Sequence, residues 1–166
     1  PFCRIASDYN KFFNTIQLPC ADAVDALRAI PESARRLTAE AFHGVRVSIR
    51  TQWGLSPDVT VTRGAPQGTV GGPEASKPAQ EPILRLRESS PAAYVTSAGR
   101  RVTAVSYVDD AEHYGSGAAD IAVISSDVGA GSLATGVGFS WSKSSAFAND
   151  WGSYLAAHPG RPGLDP

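Results

Sequence analysis

Residues 102–114, VTAVSYVDDAEHY, contain two adjacent aspartates between two apolar segments. We predict a strand over 102–108 and a partner strand over 111–114, with Asp109 and Asp110 at the tip of the hairpin. Two like charges ~4 Å apart repel by about 4 kcal/mol at an effective dielectric constant near 20. A divalent cation would reverse that repulsion, because Mg²⁺ prefers carboxylate oxygens. A polar hairpin turn explains the pair equally well, since aspartate is a common turn residue.

A third carboxylate, Asp8, follows an apolar strand predicted over residues 2–7. Alone, such a residue would be a helix cap or a turn residue in most proteins. Asp8 and Asp109 are far apart in sequence, so only the fold can bring them together. If it does, three carboxylates face one point and could hold two metal ions ~3.5–4 Å apart. Two such ions clamp the attacking and leaving oxygens of a phosphoryl transfer.

The remaining sequence mixes helical and strand patterns. Helical spacing is found over 21–30, from Pro31 to about Phe42, over 74–88 despite Pro78 and Pro82, and at Ile121, Ile124 and Val128. Strand patterns occur over 45–50 and 59–62, both expected to be half-buried, and over 94–96 and 137–141. This order predicts an α+β fold, an antiparallel sheet with helices packed on one face. We expect one domain over 1–157 and a Pro/Gly-rich tail over 158–166.

Composition excludes several classes of protein. The hydrophobic fraction of 42% and the charged fraction of 19% are typical of a globular domain. The net charge of −1 provides no overall basic field, so any contact with nucleic acid must be local. Two cysteines exclude a disulfide-dense scaffold. No apolar run approaches the ~18 residues of a membrane helix. The lack of methionine and the start at Pro1 indicate an internal piece of a longer protein.

Four segments occur in the order of the palm motifs of reverse transcriptases. They are SDYNKFFNT (7–15), RGAPQGTVGG (63–72), YVDD (107–110) and GVGFSWSKS (136–144). The chain therefore resembles a reverse transcriptase palm over about residues 3–147. The phenylalanine pair after Asp8 is most similar to the enzymes of non-LTR retrotransposons, group II introns and retrons. The resemblance implies an RNA-directed DNA polymerase, with fingers and thumb supplied by other segments of the same polyprotein.

The resemblance also implies catalytic roles. Asp8 and Asp109 would be the principal ligands of two Mg²⁺ or Mn²⁺ ions, and Asp110 the neighbouring carboxylate of the metal site. The main-chain carbonyl of Tyr9 would complete the shell of one metal. Lys143 would protonate the leaving pyrophosphate, although a lone lysine is as often a solvated surface charge.

Further residues are implied at the incoming nucleotide. They are Tyr9, Phe13, Arg63, Gly64, Pro66, Gln67, Gly68 and Tyr107. Phe13 matches the steric gate that excludes a 2′-hydroxyl, unless it is a core aromatic and Phe12 is the exposed ring. The glycines would let the backbone approach a nucleotide closely. A plain surface loop and a solvated Arg63 are the alternatives.

The implied partners are an RNA template, a DNA or RNA primer and deoxynucleoside triphosphates. Two departures weaken the match, Asn14 where many relatives carry a second aspartate and Pro78 within the helix after the glutamine loop. The palm of an RNA-dependent RNA polymerase is one alternative, against which Tyr107, Val108 and Phe13 argue. A catalytically silent remnant retained for RNA binding is another. A plain structural or metal-binding α+β domain is the third.

Overall fold

The computed structural model describes residues 1–65 and 71–157, which form a mixed α/β fold. The strands are β1 (Cys3–Ser7), β2 (Arg46–Val47), β3 (Arg50–Thr51), β4 (Gly54–Leu55), β5 (Val59–Thr60), β6 (Tyr94–Val95), β7 (Arg101–Val102), β8 (Ala104–Tyr107), β9 (Asp110–Gly115) and β10 (Ser145–Ala148). The helices are α1 (Phe12–Thr15), α2 (Leu18–Leu27), α3 (Glu32–Phe42), α4 (Gly72–Ser89), α5 (Asp120–Thr135) and α6 (Trp151–Ala157). The central sheet has the order β10-β1-β9-β8, and each neighbouring pair is antiparallel.

One face of the central sheet is covered and the other is open. Burial alternates along β1 and β9, and the covered face carries Cys3, Ile5, Ser7, Ala111, His113 and Gly115. Because successive side chains of a strand point to opposite faces, these residues share one side. Helix α5 contacts β1 and β9, and α4 contacts β8. The predicted antiparallel sheet packed with helices is confirmed at this level.

Helix α4 continues through both internal prolines. Proline has no N–H, so the Glu74 and Pro78 carbonyls cannot receive the ordinary helix bond from Pro78 and Pro82. The helix is held from outside by α2 and α5. Helix α4 approaches α5 tightly at Gly131, where an added Cβ would lie 2.8 Å from the Ile83 Cγ1 atom. Tertiary packing therefore overrides a local signal that favours interruption.

A buried polar cluster lies between α4, α5 and β9. The fully buried Arg87 forms an ion pair with Asp127, with an Nη1–Oδ2 distance of 2.6 Å. Its other terminal nitrogen donates to the Ala92 and Tyr114 carbonyls. His113 is also fully buried, and neither of its ring nitrogens has a hydrogen-bond partner among the described residues. Burial and then the Arg87 charge lower the pKa of His113 to about 4.

Helix α5 confirms the apolar face predicted from sequence, because Ile121, Ile124 and Val128 are all at most 1% exposed. It ends at Thr135, followed by Gly136 with φ of 70°, a left-handed conformation that glycine adopts without strain. The predicted apolar face ended at Val128, but α5 continues for almost two further turns, to Thr135.

Two strand predictions need correction. The 45–50 and 59–62 segments pair through β2 and β5, but both strands are exposed rather than half-buried, and Val59 is 64% exposed. Residues 137–141 form only an isolated bridge, between Tyr9 and Phe139, because residues 141–143 turn away. The strand that continues the sheet is β10 (sequence SAFA), which has one large apolar side chain and was not predicted. The predicted tail over 158–166 lies outside the described residues.

Helix α6 was not predicted either. Within residues 1–65 and 71–157, no helix is both long and apolar enough to cross a bilayer.

Candidate active site

Three of the predicted site residues lie at one end of the central sheet. The β1–β9 register pairs Ser7 with Ala111, and the β8–β9 register pairs Tyr107 with Asp110. Asp8 directly follows Ser7, so it lies one residue beyond the end of β1, next to the Ser7–Ala111 pair. Directly opposed residues of antiparallel strands have Cα atoms roughly 4.5–5.5 Å apart. Tyr107 and Asp110 are therefore side by side, and Asp8 directly follows the last paired residue of β1 at the same end of the sheet.

Asp109 lies in the two-residue turn that joins β8 to β9. Its neighbour Val108 has φ of 56°, which is unusual for a β-branched residue. The Gln80 amide of α4 donates from Nε2 to the Val108 carbonyl over 2.6 Å. Its Oε1 accepts a hydrogen bond from the Ser106 hydroxyl. The turn is thus held from the covered side of the sheet.

The backbone of Asp8 is held by the segment that contains Lys143. The Asp8 N–H donates to the Ser144 hydroxyl at 3.1 Å, and the Asp8 carbonyl accepts from the Ser140 N–H at 2.9 Å. Lys143 lies between these two serines and is exposed. The structure therefore brings the predicted leaving-group lysine into the segment that contacts Asp8.

A continuous row of aromatic rings lies next to Asp8. Trp141 contacts Phe139, Phe139 contacts Tyr9, and Tyr9 contacts Phe12, which contacts Phe13, with centroid distances of 4.4, 6.0, 5.4 and 5.5 Å respectively. Burial raises the pKa of Tyr9 to about 12, so its phenol is neutral at physiological pH. Phe12 is only 3% exposed, whereas Phe13 is half-buried at the edge of the core. Of the pair, Phe12 is the core ring.

Gly64 packs directly on the backbone of Phe13. The Gly64 N–H donates to the Ile16 carbonyl, and the Ala65 N–H donates to the Phe13 carbonyl. Gly64 has φ of 89°, and an added Cβ would lie 2.7 Å from the Phe13 oxygen, so only glycine fits there. Arg63 is exposed beside it. Pro66, Gln67 and Gly68 lie outside the described residues.

The comparisons bear on this arrangement. No protein-family model matches the chain, and no curated protein matches it. Among solved structures, the chain is similar to apo telomerase from Candida tropicalis truncated from the C-terminal domain, with a TM-score of 0.65 and 9% sequence identity. The match covers 90% of this chain and 31% of the telomerase chain, so the chain spans about a third of that protein's length.

The fold is reverse-transcriptase-like. At 9% identity the likeness to telomerase concerns the fold alone. The assignment of Asp8, Asp109 and Asp110 as metal ligands stays a prediction, as do the roles of Tyr9, Phe13, Lys143 and the glutamine loop.

Asp8, Asp109 and Asp110 offer a cation only a few carboxylate ligands. Across residues 1–65 and 71–157, no three His, Cys, Asp or Glu side chains are grouped as a ready-made metal cage. Mg²⁺ usually binds through one or two carboxylates and draws its remaining oxygens from water and substrate phosphates. Asp8 and Asp109 are half-buried and Asp110 is exposed at the same end of the sheet. Their carboxylate oxygens are the kind of donor that Mg²⁺ prefers.

Sequence reasoning missed the residues that support the site. Gln80, Ser106 and Ser144 hold the turn and the Asp8 backbone, and each is polar within an otherwise ordinary segment. Glu112 lies on the open face two residues after Asp110 and forms a 3.2 Å ion pair with Arg4. The alternation of β9 could have indicated Glu112, because residues two apart on a strand share a face. No local signal identifies Gln80 or the serines.

Proposed function

We propose that this chain is the catalytic palm of an RNA-directed DNA polymerase that adds deoxynucleotides to a primer 3′-hydroxyl with two divalent metal ions. The observation that carries the proposal is the placement of three acidic residues at one end of the central sheet of a reverse-transcriptase-like fold. Asp110 pairs with Tyr107, Asp109 lies in the adjoining turn, and Asp8 directly follows the Ser7–Ala111 pair. Carboxylates on the face that the helices leave open can meet a template, a primer and a triphosphate without displacing core side chains.

Each site residue has a role in the proposed reaction. Asp8 and Asp109 would hold the metal ions, Asp110 would add negative charge beside them, and the Tyr9 carbonyl would supply a further oxygen. The ions, when bound, stabilise negative charge on the attacking hydroxyl and on the leaving phosphate. Lys143 lies on an exposed turn and donates a proton to the leaving pyrophosphate.

Nucleotide choice follows from the neighbouring residues. Phe13 is the half-buried ring, with Phe12 behind it in the core, which supports a gate against the 2′-hydroxyl. The backbone at Gly64 supports Phe13 and leads into the glutamine loop that contacts the nucleotide and template. Arg63 is exposed and binds phosphate. The template is RNA, and the primer is DNA or RNA.

The direct test is metal binding by the chain itself, measured as Mn²⁺ titration by electron paramagnetic resonance. We expect Asp8→Asn and Asp109→Asn each to weaken Mn²⁺ binding at least ~10-fold, about 1.4 kcal/mol, because each removes a charged ligand. Glu40→Gln is the matched control, since Glu40 is an exposed carboxylate of α3 in a 3.8 Å surface ion pair. It should bind Mn²⁺ like the wild type.

Primer extension on an RNA template separates the candidate activities. Extension with deoxynucleotides that Asp109→Asn abolishes supports the proposal. Asp109-dependent extension with ribonucleotides alone would indicate an RNA polymerase instead. RNA binding that neither Mn²⁺ nor Asp109→Asn affects would indicate a silent remnant. Equal Mn²⁺ affinity in the wild type and both aspartate variants refutes the metal site.

A further inference from the structure

The Val108–Asp109 turn adopts a backbone conformation that its sequence disfavours. Val108 has φ of 56°, in the left-handed region where the Cβ of an L-residue crowds the following carbonyl. Valine is worse there than most residues because it is branched at Cβ. Such a conformation persists only where the surrounding structure holds it, and it is often found at functional sites.

Gln80 is the described side chain that holds this turn. It is 2% exposed, although it lies eight residues into α4 and carries a polar amide. Its Nε2 donates to the Val108 carbonyl over 2.6 Å, and its Oε1 accepts from the Ser106 hydroxyl. A carbonyl can only accept, so the amide nitrogen must face Val108, and both ends of the amide are then satisfied. A buried amide bonded at both ends has one orientation.

The hydrogen bond that orients the Val108 carbonyl also orients the backbone N–H of Asp109. The carbonyl of Val108 and the N–H of Asp109 belong to one planar trans peptide, so they point in opposite directions. With the carbonyl held towards α4, the Asp109 N–H points away from the helix. The direction in which the Asp109 side chain leaves the turn is thereby restricted.

We propose that Gln80 is a positioning residue, which holds the strained Val108 peptide so that Asp109 is preset for metal binding. This inference rests on the proposed function, because it assigns Asp109 to a metal. It adds a physical link between α4, which follows the glutamine loop in sequence, and the acidic turn. Gln80 acts through the Val108 peptide and is not itself assigned as a metal ligand.

Two measurements on Gln80→Leu test the inference. Leucine fills most of the same space but cannot bond to Val108 or Ser106. We expect the Hᴺ–Hα scalar coupling of Val108 to depart from its wild-type value, and the Mn²⁺ dissociation constant to rise at least ~10-fold, about 1.4 kcal/mol. Ser106→Ala is the second variant, which leaves the Val108 bond but releases the other end of the amide. It should produce a smaller change of the same sign.

Measuring Gln80→Leu in a chain that also carries Val108→Gly distinguishes a positioning role of Gln80 from a general loss of structure. Glycine adopts positive φ without strain, so Val108→Gly removes the need for the Gln80 bond. In that background, Gln80→Leu should change Mn²⁺ affinity less than ~3-fold, about 0.6 kcal/mol. Equal losses in both backgrounds would mean that Gln80 acts only on overall stability, and the inference would be wrong.

Failure of this inference and failure of the proposed function give different results. Asp109-dependent Mn²⁺ binding that neither Gln80→Leu nor Ser106→Ala alters overturns the positioning role alone. Absence of Asp109-dependent binding in the wild type overturns the proposed function and, with it, the preset metal ligand. An unchanged Val108 coupling in Gln80→Leu overturns the clamp in either case.

Discussion

The crossing of α4 and α5 provides a matched pair of substitutions within one helix. An alanine Cβ at Gly131 would lie 2.8 Å from the Ile83 Cγ1 atom and 3.1 Å from its Cα atom. The side-chain atom could turn aside, but the backbone atom could move only with α4. At Gly129, one half-turn earlier, no described atom lies within 4 Å of an added Cβ. The two glycines thus differ in packing but not in their helical setting.

The expected energies follow from this difference. Replacing glycine by alanine in a helix interior stabilises by about 0.8–1 kcal/mol. Gly129→Ala should therefore raise the free energy of unfolding by roughly that amount. Gly131→Ala has the same gain, opposed by overpacking that costs about 1–3 kcal/mol. The two variants should differ by ~1–3 kcal/mol, or roughly 2–12 °C in Tm for a chain of this size.

Urea denaturation followed by circular dichroism measures both values, with thermal melts as a second readout. Ile83→Ala removes the Cγ1 atom, so in that background Gly131→Ala should be less unfavourable by at least ~0.5 kcal/mol. Gly131→Ala that stabilises the chain as much as Gly129→Ala would refute the close crossing of the two helices. If Gly131→Ala had the same effect in the wild-type and Ile83→Ala backgrounds, Ile83 would not be the residue that Gly131 contacts.

Two further predictions concern pH and sugar choice. Because the pKa of His113 falls from 6.5 to about 4 on folding, its contribution to stability is complete above pH 6.5 and is lost as pH falls towards 4, by ~3 kcal/mol in all. His113→Leu should flatten that dependence in urea titrations between pH 7 and 4.5, and an unchanged slope would contradict it. Phe13→Ala should raise ribonucleotide over deoxynucleotide incorporation ~10- to 100-fold, about 1.4–2.7 kcal/mol, whereas Phe12→Ala should instead lower stability by ~3–5 kcal/mol. Single-nucleotide incorporation and thermal melts measure the two effects, and an unchanged ratio in a folded Phe13→Ala variant removes the gate.

The acidic hairpin was predictable because its signal is local. Apolar residues on both sides of the aspartates predicted two strands, and the structure has β8 and β9 there. The tip itself was misplaced by one residue, because the turn is Val108–Asp109 and Asp110 begins β9. The predicted strand over 2–7 likewise corresponds to β1. What the sequence could not supply was the register between β1 and β9, since it depends on residues about a hundred positions apart. That register pairs Ser7 with Ala111, and so places Asp8 and Asp110, which adjoin this pair, at the same end of the sheet.

Where prediction failed, local pattern and tertiary setting disagreed. The alternation over 45–50 correctly indicates an apolar side of a strand, but alternation cannot say whether another element covers that side. Pro78 and Pro82 are local helix breakers, and the packing of α4 against α2 and α5 overrides them. Gln80 has no local signal because its partner is 28 positions away. Each failure concerns a contact distant in sequence.

The two faces of the central sheet separate stability from the proposed chemistry. The covered face carries apolar side chains and the cluster of His113, Arg87 and Asp127, so substitutions there act on folding. The open face carries Asp110, and Asp8 follows at its end; no helix within residues 1–65 and 71–157 covers this face. Mutual repulsion of these carboxylates is acceptable in water and is removed when a cation binds. Gln80 connects the two faces. It is buried on the covered side, and its amide bonds to the Val108 carbonyl in the turn that contains Asp109. A rigid covered face can therefore hold an acidic open face in one geometry without occupying the space that a nucleotide needs.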